Sequence, residues 1–297
     1  MPFPDIDPIA FQFSVFGFTL ALRWYALAYI VSIIAGWRVA AMVTRRDALW
    51  GGPSPITPKH LEDFVTWAIL GIILGGRLGY VLFYQPGYFL SNPADILRVW
   101  DGGMSFHGGF IGMGVAIVAF AMRSGIPILS LADIIGLVAP IGLLLGRVAN
   151  FVNAELWGRP TDMPWGVAFP GARAQTCPDF WPLAPGEPCL RHPSQLYEAG
   201  LEGIVLFGAL LLAVWGFKAL RRPGLVTGMF FIGYGLARTF VEFFRQGDAQ
   251  YVSVGNPFGQ VIRFGDSAWA GLSMGQILSL PMIALGIAFV LWSRRKA

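Results

Sequence analysis

Charged residues are scarce in this sequence. Only 13% of its 297 residues are Asp, Glu, Lys or Arg, whereas 55% are hydrophobic and the mean hydropathy is +0.60. A soluble domain carries about 25% charged residues, so this composition excludes a soluble globular protein. The apolar stretches are long enough for several bilayer crossings, since each helical crossing takes about 20 mostly apolar residues. We therefore predict an all-α polytopic membrane protein.

The N-terminus lacks the basic residues that open a secretory signal peptide, because the first basic residue is Arg23. We therefore expect the first apolar segment to be retained as a helix. The sequence pI is about 9.3, but the basic residues are scattered between apolar segments and form no patch. We expect no nucleic-acid partner for that reason.

Seven apolar segments predict seven transmembrane helices, near residues 13–42, 63–84, 106–122, 131–149, 196–217, 225–245 and 272–292. Ten basic residues lie after the first, third and fifth segments and in the C-terminal tail: Arg45, Arg46, Lys59, Arg123, Lys218, Arg221, Arg222, Arg294, Arg295 and Lys296. The other connections hold only five, which are Arg98, Arg159, Arg173, Arg191 and Arg263. By the positive-inside rule, we predict a cytoplasmic C-terminus and a periplasmic N-terminus in the cell inner membrane.

Two connections are expected to form structure outside the membrane. Residues 150–195 contain eight prolines, too many for a helix, and predict a small periplasmic head inserted into a single integral membrane domain, 1–297. Residues 85–105 contain Pro86, Pro93 and a turn-forming Asp-Gly-Gly, and predict a shorter periplasmic arm.

The sequence has only two cysteines, Cys177 and Cys189, and both fall in the predicted head. Oxidation is permitted on that side of the membrane, so a disulfide and a pair of free thiols are both compatible with the sequence. Two cysteines without a nearby second pair of ligands make a poor zinc site. We therefore expect no metal there.

Ionisable residues lie within or beside the apolar segments, although each costs about 2.5–3.5 kcal/mol on insertion at membrane depth. They are Arg23, Arg38, Arg77, Arg147, Arg238, Arg245, His107, Glu155, Glu198, Glu202 and Glu242. A second interpretation of Arg38 and Arg245 is that they lie at helix ends and snorkel to an interface. Some Arg/Glu pairs are likewise compatible with a purely structural role in which the two charges neutralise each other. The set as a whole indicates a functional polar site.

One polar helix face is predicted in the sixth segment, where spacings of four align Tyr234, Arg238 and Glu242. An Arg238–Glu242 pair inside the bundle is one interpretation of this face. The other is a guanidinium held for an anionic head group, because arginine binds phosphate through planar, bidentate hydrogen bonds.

A second arginine lies at the outer end of the fourth segment. Arg147, Asn150 and Asn153 share a helical side there, and Glu155 follows. Two arginines on separate helices, with amide donors between them, would form a clamp for one phosphodiester in a low-dielectric site.

A histidine, His107, opens the third segment and is followed by glycines that permit close approach of a helix or a lipid. Histidine is the usual general base near neutral pH. A lone histidine is also compatible with a structural role, so the pattern leaves both open.

The run from Gly146 to Gly158 resembles the signature of the prolipoprotein diacylglyceryl transferase family. Five further motifs follow the family's order: Leu22-Arg23-Trp24-Tyr25, Gly76-Arg77-Leu78-Gly79-Tyr80, His107-Gly108-Gly109, His192-Pro193-Ser194-Gln195-Leu196-Tyr197-Glu198, and residues 234–242. The resemblance extends from about Phe16 to the last apolar segment. It covers no fixed motif between Arg159 and Arg191, so it does not bear on the cysteine pair.

This resemblance implies a seven-helix bundle with an outer head and arm. It implies that the lipobox cysteine of a prolipoprotein signal peptide attacks the glycerol carbon that bears the phosphate of phosphatidylglycerol. The products would be a diacylglyceryl thioether and glycerol 1-phosphate, in the first step of bacterial lipoprotein maturation. The partners implied are membrane lipid and that signal peptide, with no metal or other cofactor.

The resemblance also implies roles for residues. Arg147 and Arg238 are implied to be catalytic, phosphate-binding residues, with His107 as the candidate base. The expected substrate-binding residues beside the two arginines are Tyr25, Arg77, Asn150, Asn153, Glu155, Gly158, Tyr234 and Glu242. A cationic surround would itself lower the thiol pKa from about 8.5, so His107 as an orienting group stays open.

Other functions explain the sequence less well. A transporter of an organic anion would account for buried arginines, but it would more naturally show inverted repeats, which are not visible here. A CDP-alcohol phosphatidyltransferase would need clustered aspartates to hold a metal, whereas Asp101, Asp133, Asp162 and Asp179 are dispersed. A structural scaffold would leave the polar face of the sixth segment unexplained.

Overall fold

The computed structural model describes residues 1–15, 18–265 and 270–295, and helices dominate it. They are α1 Trp24–Thr44, α2 Pro58–Phe83, α3 Pro86–Ser91, α4 Phe106–Ser124, α5 Ile128–Val152, α6 Ala172–Gln175, α7 Ser194–Trp215, α8 Leu225–Val241 and α9 Met274–Arg295. Two small antiparallel sheets accompany them, one of β1 Ile9–Val15 with β2 Phe18–Arg23, the other of β3 Gln260–Arg263 with β4 Gly271–Ser273.

Six of these helices are long and apolar enough to cross a membrane: α1, α2, α4, α5, α7 and α9. The seventh apolar helix, α8, is shorter, with 17 residues. Each of the seven corresponds to one predicted segment. The expectation of an all-α polytopic membrane protein is therefore confirmed.

The first predicted segment, 13–42, starts too early. Its first residues form the β1–β2 hairpin, and α1 begins only at Trp24. The hairpin is rich in aromatic and other apolar residues that favour strands, so hydropathy alone did not separate it from the helix. Residues 16 and 17 of that segment, and Lys296 of the basic tail, lie outside the described residues.

The second helix also differs from its predicted bounds, since it begins five residues before residue 63. The Thr57 side chain accepts a hydrogen bond from the His60 amide, and Pro58 occupies the first turn. Both features favour a helix start, and they place it ahead of the apolar run.

The chain forms two compact units. The larger comprises Met1–Gly36 with Gly136–Ala297, and the smaller comprises Trp37–Ile135. In the smaller unit, α2 and α4 cross with their backbones in contact at glycines. A Cβ atom on Gly112 would lie 2.0 Å from the Gly71 carbonyl oxygen, and one on Gly75 would lie 2.4 Å from the Gly108 carbonyl oxygen. Only glycine permits this separation of the two helices.

The predicted arm, 85–105, consists of α3 and two short 3-10 turns in the smaller unit. Arg77 of α2 is buried and holds this segment. Its guanidinium lies 5.1 Å from the ring centre of Phe89 and donates to four carbonyl oxygens of the arm, those of Asp95, Ile96, Gly102 and Gly103. The arm is therefore shaped by one side chain of α2.

In the larger unit, glycines again bring helices together. A Cβ atom on Gly228 of α8 would lie 2.7 Å from the Gly286 carbonyl oxygen of α9. Gly203 of α7 faces Leu144 of α5 at a similar separation. Residues Ala199–Val205 of α7 form a π-helical turn, a local widening that is frequent at functional sites.

The predicted head has little regular structure apart from α6. It is built on a small core of Val167, Phe169 and Ala174, against which Phe3 and Phe151 pack. Cys177 and Cys189 form a disulfide with their Cα atoms 5.7 Å apart. Of the two states that the sequence left open, the cysteine pair is therefore oxidised.

The α2–α4 crossing provides a matched test on one helix. We expect Gly112→Ala to lower stability by about 1–3 kcal/mol, because the added methyl group forces the backbones apart. Gly114→Ala, where nothing lies within 4 Å of the new Cβ atom, should be neutral or stabilising, because alanine favours the helix. Thermal unfolding in detergent measures both. Equal effects would argue against the backbone contact.

Candidate functional site

Three arginines of the larger unit converge on one buried carboxylate, that of Glu198 in α7. The Nε atom of Arg147 lies 3.1 Å from Glu198 Oε2, and Arg238 of α8 donates to Glu198 Oε1. Arg245, which follows α8, lies 4.0 Å from the same oxygen. The Glu198 side chain is 0% exposed and the three arginines are between 12% and 18% exposed. We call these four residues and Glu202 and Glu242 the arginine cluster.

Glu242 completes the cluster on the side of α9. Its carboxylate pairs with Arg238 and Arg245 and accepts a 2.5 Å hydrogen bond from Ser273 Oγ. Gly275 leaves room for it, because a Cβ atom there would lie 2.5 Å from the carboxylate. The polar face predicted for the sixth segment, which is α8, is therefore present. Tyr234 is buried one turn before Arg238, with its ring stacked on Phe230.

Glu202 lies one turn further along α7, within the π-helical turn. Its side chain is 0% exposed and its Oε2 atom is 3.9 Å from Arg147 Nε. Neither carboxylate oxygen has a hydrogen-bond partner among the residues that the structure describes. A buried polar atom without a partner is costly, so this carboxylate could accept a hydrogen bond from a bound molecule.

Arg147 contacts the carboxylates through its Nε atom. Within residues 1–15, 18–265 and 270–295, its two terminal nitrogens make no hydrogen bond to the protein. Those nitrogens form a planar pair of donors that matches a phosphate or carboxylate. The site can therefore receive an anion at Arg147 without first breaking the contact with Glu198.

Asn150 belongs to a second polar group of the larger unit, formed with Tyr25 and Glu155. Its amide nitrogen donates to the Tyr25 hydroxyl and, at 2.9 Å, to Glu155 Oε1. The group that bridges Arg147 and Arg238 is the carboxylate of Glu198, and the expected place of Asn150 between the two arginines stays a prediction. Asn153 Oδ1 is buried without a partner among the described residues.

The backbone after α5 turns back sharply to bring Glu155 to Asn150. Ala154 and Leu156, on either side of Glu155, have φ angles of 54° and 56°. Residues other than glycine rarely adopt this left-handed conformation, and such outliers cluster at functional sites. The Glu155 amide donates to the Asn150 carbonyl at 3.0 Å and closes the turn.

Gly158 lies where backbones meet. A Cβ atom on it would be 2.5 Å from the Phe244 carbonyl oxygen and 2.7 Å from that of His192. Its amide donates to the His192 carbonyl at 2.8 Å. The requirement for glycine here is therefore explained by packing of the chain segment that precedes Arg245, and its predicted substrate contact stays a prediction.

His192 lies just before α7, and its Nδ1 atom is 3.1 Å from the Tyr197 hydroxyl of that helix. Burial, together with the charge of Arg159, lowers the pKa of His192, and Asp162 opposes this shift. The ring is therefore neutral near neutral pH and acts as a structural hydrogen-bonding group.

Two predicted site residues, His107 and Arg77, belong to the smaller unit. His107 is exposed in the first turn of α4, whose start is capped by Ser105 through a 3.1 Å bond from the Gly108 amide. The donors of Arg77 bind the carbonyl groups of the arm, as described above. Substrate binding by Arg77 is therefore not supported by its contacts.

Three residues of the cluster were named in the sequence only among the ionisable residues of the apolar segments and were assigned no catalytic or substrate-binding role: Glu198, Glu202 and Arg245. The two glutamates stand four residues apart in an apolar segment, which places them on one helix face and was a usable signal. Snorkelling does not describe Arg245, which pairs with Glu242 and Asp248. Both of these partners lie three residues away in sequence, whereas Glu198, 4.0 Å from Arg245 Nε, comes from a distant part of the chain.

The cluster suits the binding of an anion. Its guanidinium groups are held in advance in a place largely without water, where electrostatic interactions are strong. In the part of the chain that the structure describes, no group of three or more His, Cys, Asp or Glu residues has a geometry that could hold a metal ion.

Removal of the shared carboxylate tests the cluster. We expect Glu198→Gln to destabilise the protein by about 3–5 kcal/mol, because breaking a buried ion pair leaves its cationic partners without a counter-charge. The matched change Glu62→Gln, at an exposed position of α2, should leave stability unchanged. Thermal unfolding in detergent compares the two. Equal melting temperatures would contradict the central place of Glu198.

Comparison with known proteins identifies the family. The family model for prolipoprotein diacylglyceryl transferase matches residues 8–292. Relatives named phosphatidylglycerol–prolipoprotein diacylglyceryl transferase include one from Cereibacter sphaeroides, 58% identical over 100% of this chain and 99% of its own. Another, from Ruegeria pomeroyi, is 58% identical over 98% and 97% of the two chains. A third, from Agrobacterium fabrum, is 50% identical over 99% and 94%. The chain therefore belongs to the prolipoprotein diacylglyceryl transferase family.

Proposed function

We propose that this protein transfers the diacylglyceryl group of phosphatidylglycerol to the lipobox cysteine of prolipoproteins. The family and the names of the full-length relatives support the donor and the acceptor. The structural observation that carries the proposal is the convergence of Arg147 and Arg238, from different helices, on a buried site. A transporter of an organic anion is not favoured by the family.

The reaction is a displacement at carbon. The cysteine sulfur attacks the glycerol carbon that bears the phosphate, so a C–S bond forms and the C–O bond breaks. The electron pair of the broken bond goes to the departing glycerol 1-phosphate, and the thiol proton passes to a base, for which His107 is the candidate. Negative charge on the leaving group must be stabilised, and positioned guanidinium groups do this effectively in a low-dielectric site.

The two arginines would share this work unequally. Arg147 has both terminal nitrogens available within the described structure and would bind the phosphate as a fork. Arg238 already donates to Glu198 and Glu242, but each of its terminal nitrogens carries two N–H groups. One N–H on each nitrogen would remain for a phosphate oxygen.

The remaining proposed site residues would support the substrate. The Tyr25–Asn150–Glu155 group offers hydroxyl, amide and carboxylate atoms in the larger unit. Tyr234, Glu242, Asn153 and Gly158 would shape the site around it. His107 would act as the base or as an orienting group, since a cationic surround also favours the thiolate.

We propose a location in the cell inner membrane with a periplasmic N-terminus and a cytoplasmic C-terminus, as the distribution of basic residues indicates. The head and the arm would then face the periplasm, where the disulfide Cys177–Cys189 can form. Donor and product both keep two acyl chains, so lateral exit into the bilayer is expected.

Arginine substitutions test the phosphate site. We expect Arg147→Ala and Arg238→Ala each to lower transfer by about 100-fold or more, in line with the loss of a preorganised oxyanion donor. Arg147→Lys and Arg238→Lys should recover little, because a point charge does not reproduce the planar fork. The exposed Arg123→Lys is the matched control. Full activity of either lysine variant would contradict the clamp.

The reaction itself is tested with the purified protein in detergent, phosphatidylglycerol and a lipobox peptide. We expect a diacylglyceryl mass increment on the peptide cysteine, seen by mass spectrometry, together with released glycerol phosphate. A peptide with serine in place of cysteine should gain no mass. No adduct from a well-folded preparation would refute the proposed reaction.

A further inference from the structure

Two buried arginines of the head, Arg159 and Arg191, take no part in the arginine cluster. Among residues 1–15, 18–265 and 270–295, neither forms an ion pair with a carboxylate. Burial lowers the pKa of both groups, that of Arg191 to about 10. A buried cation without a counter-charge is costly, so their other contacts need to explain them.

Arg191 binds carbonyl groups from separate parts of the chain. It donates to Ala174 O at 2.5 Å, to Thr176 O at 2.6 Å and to Gly158 O at 3.2 Å. Its guanidinium also lies 4.0 Å from the ring centre of Trp157 and 3.5 Å from Gln246 Oε1. One side chain therefore joins residues 157–158, 174–176 and 246.

The contact with Gln246 connects Arg191 to the chain segment that carries part of the arginine cluster. Gln246 follows Arg245, which pairs with Glu242. The backbone on either side is tied as well, since Gly158 forms a β-bridge with Arg245 and the Arg159 amide donates to Phe244 O at 2.7 Å. Arg191 therefore contacts the chain segment from which Arg245 projects, and Arg159 holds the same segment through its bonds to the carbonyl oxygens of Arg245 and Glu242.

The disulfide determines where two of the acceptors of Arg191 lie. Cys177 follows Thr176 directly, and Cys189 lies two residues before Arg191, so the cysteines are 12 positions apart in sequence. The Gln175 side chain also connects these segments of the head. It accepts a hydrogen bond from the Cys189 amide at 3.2 Å and donates one to Phe169 O at 2.6 Å. Without the S–S bond, residues 174–176 would keep only their hydrogen bonds, including those to Arg191, and the packing of Ala174 against Val167 and Phe169.

We propose that Arg191 is a positioning residue for Arg245 and Glu242, and that the Cys177–Cys189 disulfide keeps its acceptors in place. Reduction of the disulfide would then lower transfer, although neither cysteine touches the substrate. The inference rests on the proposed function for its kinetic test. A dithiol reductant supplies two electrons and two protons, converts the disulfide to two thiols and is itself oxidised to a disulfide.

The first experiment compares the oxidised full-length protein with protein reduced by dithiothreitol, alkylated and freed of reductant before the transfer assay. We expect reduction, Cys177→Ser/Cys189→Ser and Arg191→Ala each to lower kcat by about 10- to 100-fold, as displaced supporting residues do, with a smaller change in KM. Arg191→Lys should restore part of the rate, because it keeps one donor to the carbonyls. The exposed head residue Arg173 provides the control, and Arg173→Ala should match the wild type.

A second comparison separates positioning from general stability. If the disulfide acts through Arg191, reducing the disulfide of the Arg191→Ala variant should lower its kcat little further. The reason is that two changes that disrupt the same set of contacts do not have additive effects. Losses that multiply would overturn the proposal, and so would full activity of the reduced wild type.

A third measurement does not depend on transfer. Hydrogen exchange of residues 242–248 should increase in Arg191→Ala and in the reduced protein, but not in Arg173→Ala. Unchanged exchange in the first two would refute the positioning role even if the proposed reaction failed. An oxidised wild type without transfer but with this exchange pattern would reject the reaction and keep the positioning role.

Discussion

The need to neutralise arginines inside an apolar helical unit governs the architecture of the site. Arg147, Arg238 and Arg245 come from different parts of the chain and share the carboxylate of Glu198, which no solvent reaches. An isolated charge at this depth would be too costly to bury. The surrounding structure therefore has to hold the carboxylates in position, and the π-helical turn of α7 and the start of α9 do so.

Arginines serve two different purposes in this protein, and their partners distinguish them. Those of the cluster face carboxylates. Arg77, Arg159 and Arg191 instead bind backbone carbonyl groups, and each joins chain segments that lack regular structure. A guanidinium has five donors in one plane. A single arginine side chain can therefore hold an irregular loop in one conformation. The first kind forms the arginine cluster, and the second holds loops of the scaffold in place.

The cluster also keeps unused capacity for a ligand. Within the described structure, both oxygens of Glu202 lack a hydrogen-bond partner, and Arg147 contacts the carboxylates through Nε, not through its terminal nitrogens. Donors and acceptors thus lie side by side in a place largely without water. A glycerol phosphate group carries phosphate oxygens that would accept from Arg147 and hydroxyl groups that would donate to Glu202. The head group of phosphatidylglycerol, the proposed lipid substrate, therefore matches both.

The sequence by itself determined the polytopic helical fold, because apolar segments of sufficient length have no alternative to membrane helices. It also indicated Arg147 and Arg238, since charged residues in such segments are exceptional, and the alignment of Arg238 with Glu242, which follows from helical periodicity. Only the tertiary structure decided that Glu198 joins these arginines and that Arg77 serves the arm instead. It also decided that the first apolar residues form a hairpin. A helix period relates residues a few positions apart, whereas the partner of a buried charge is set by which helices and loops pack together.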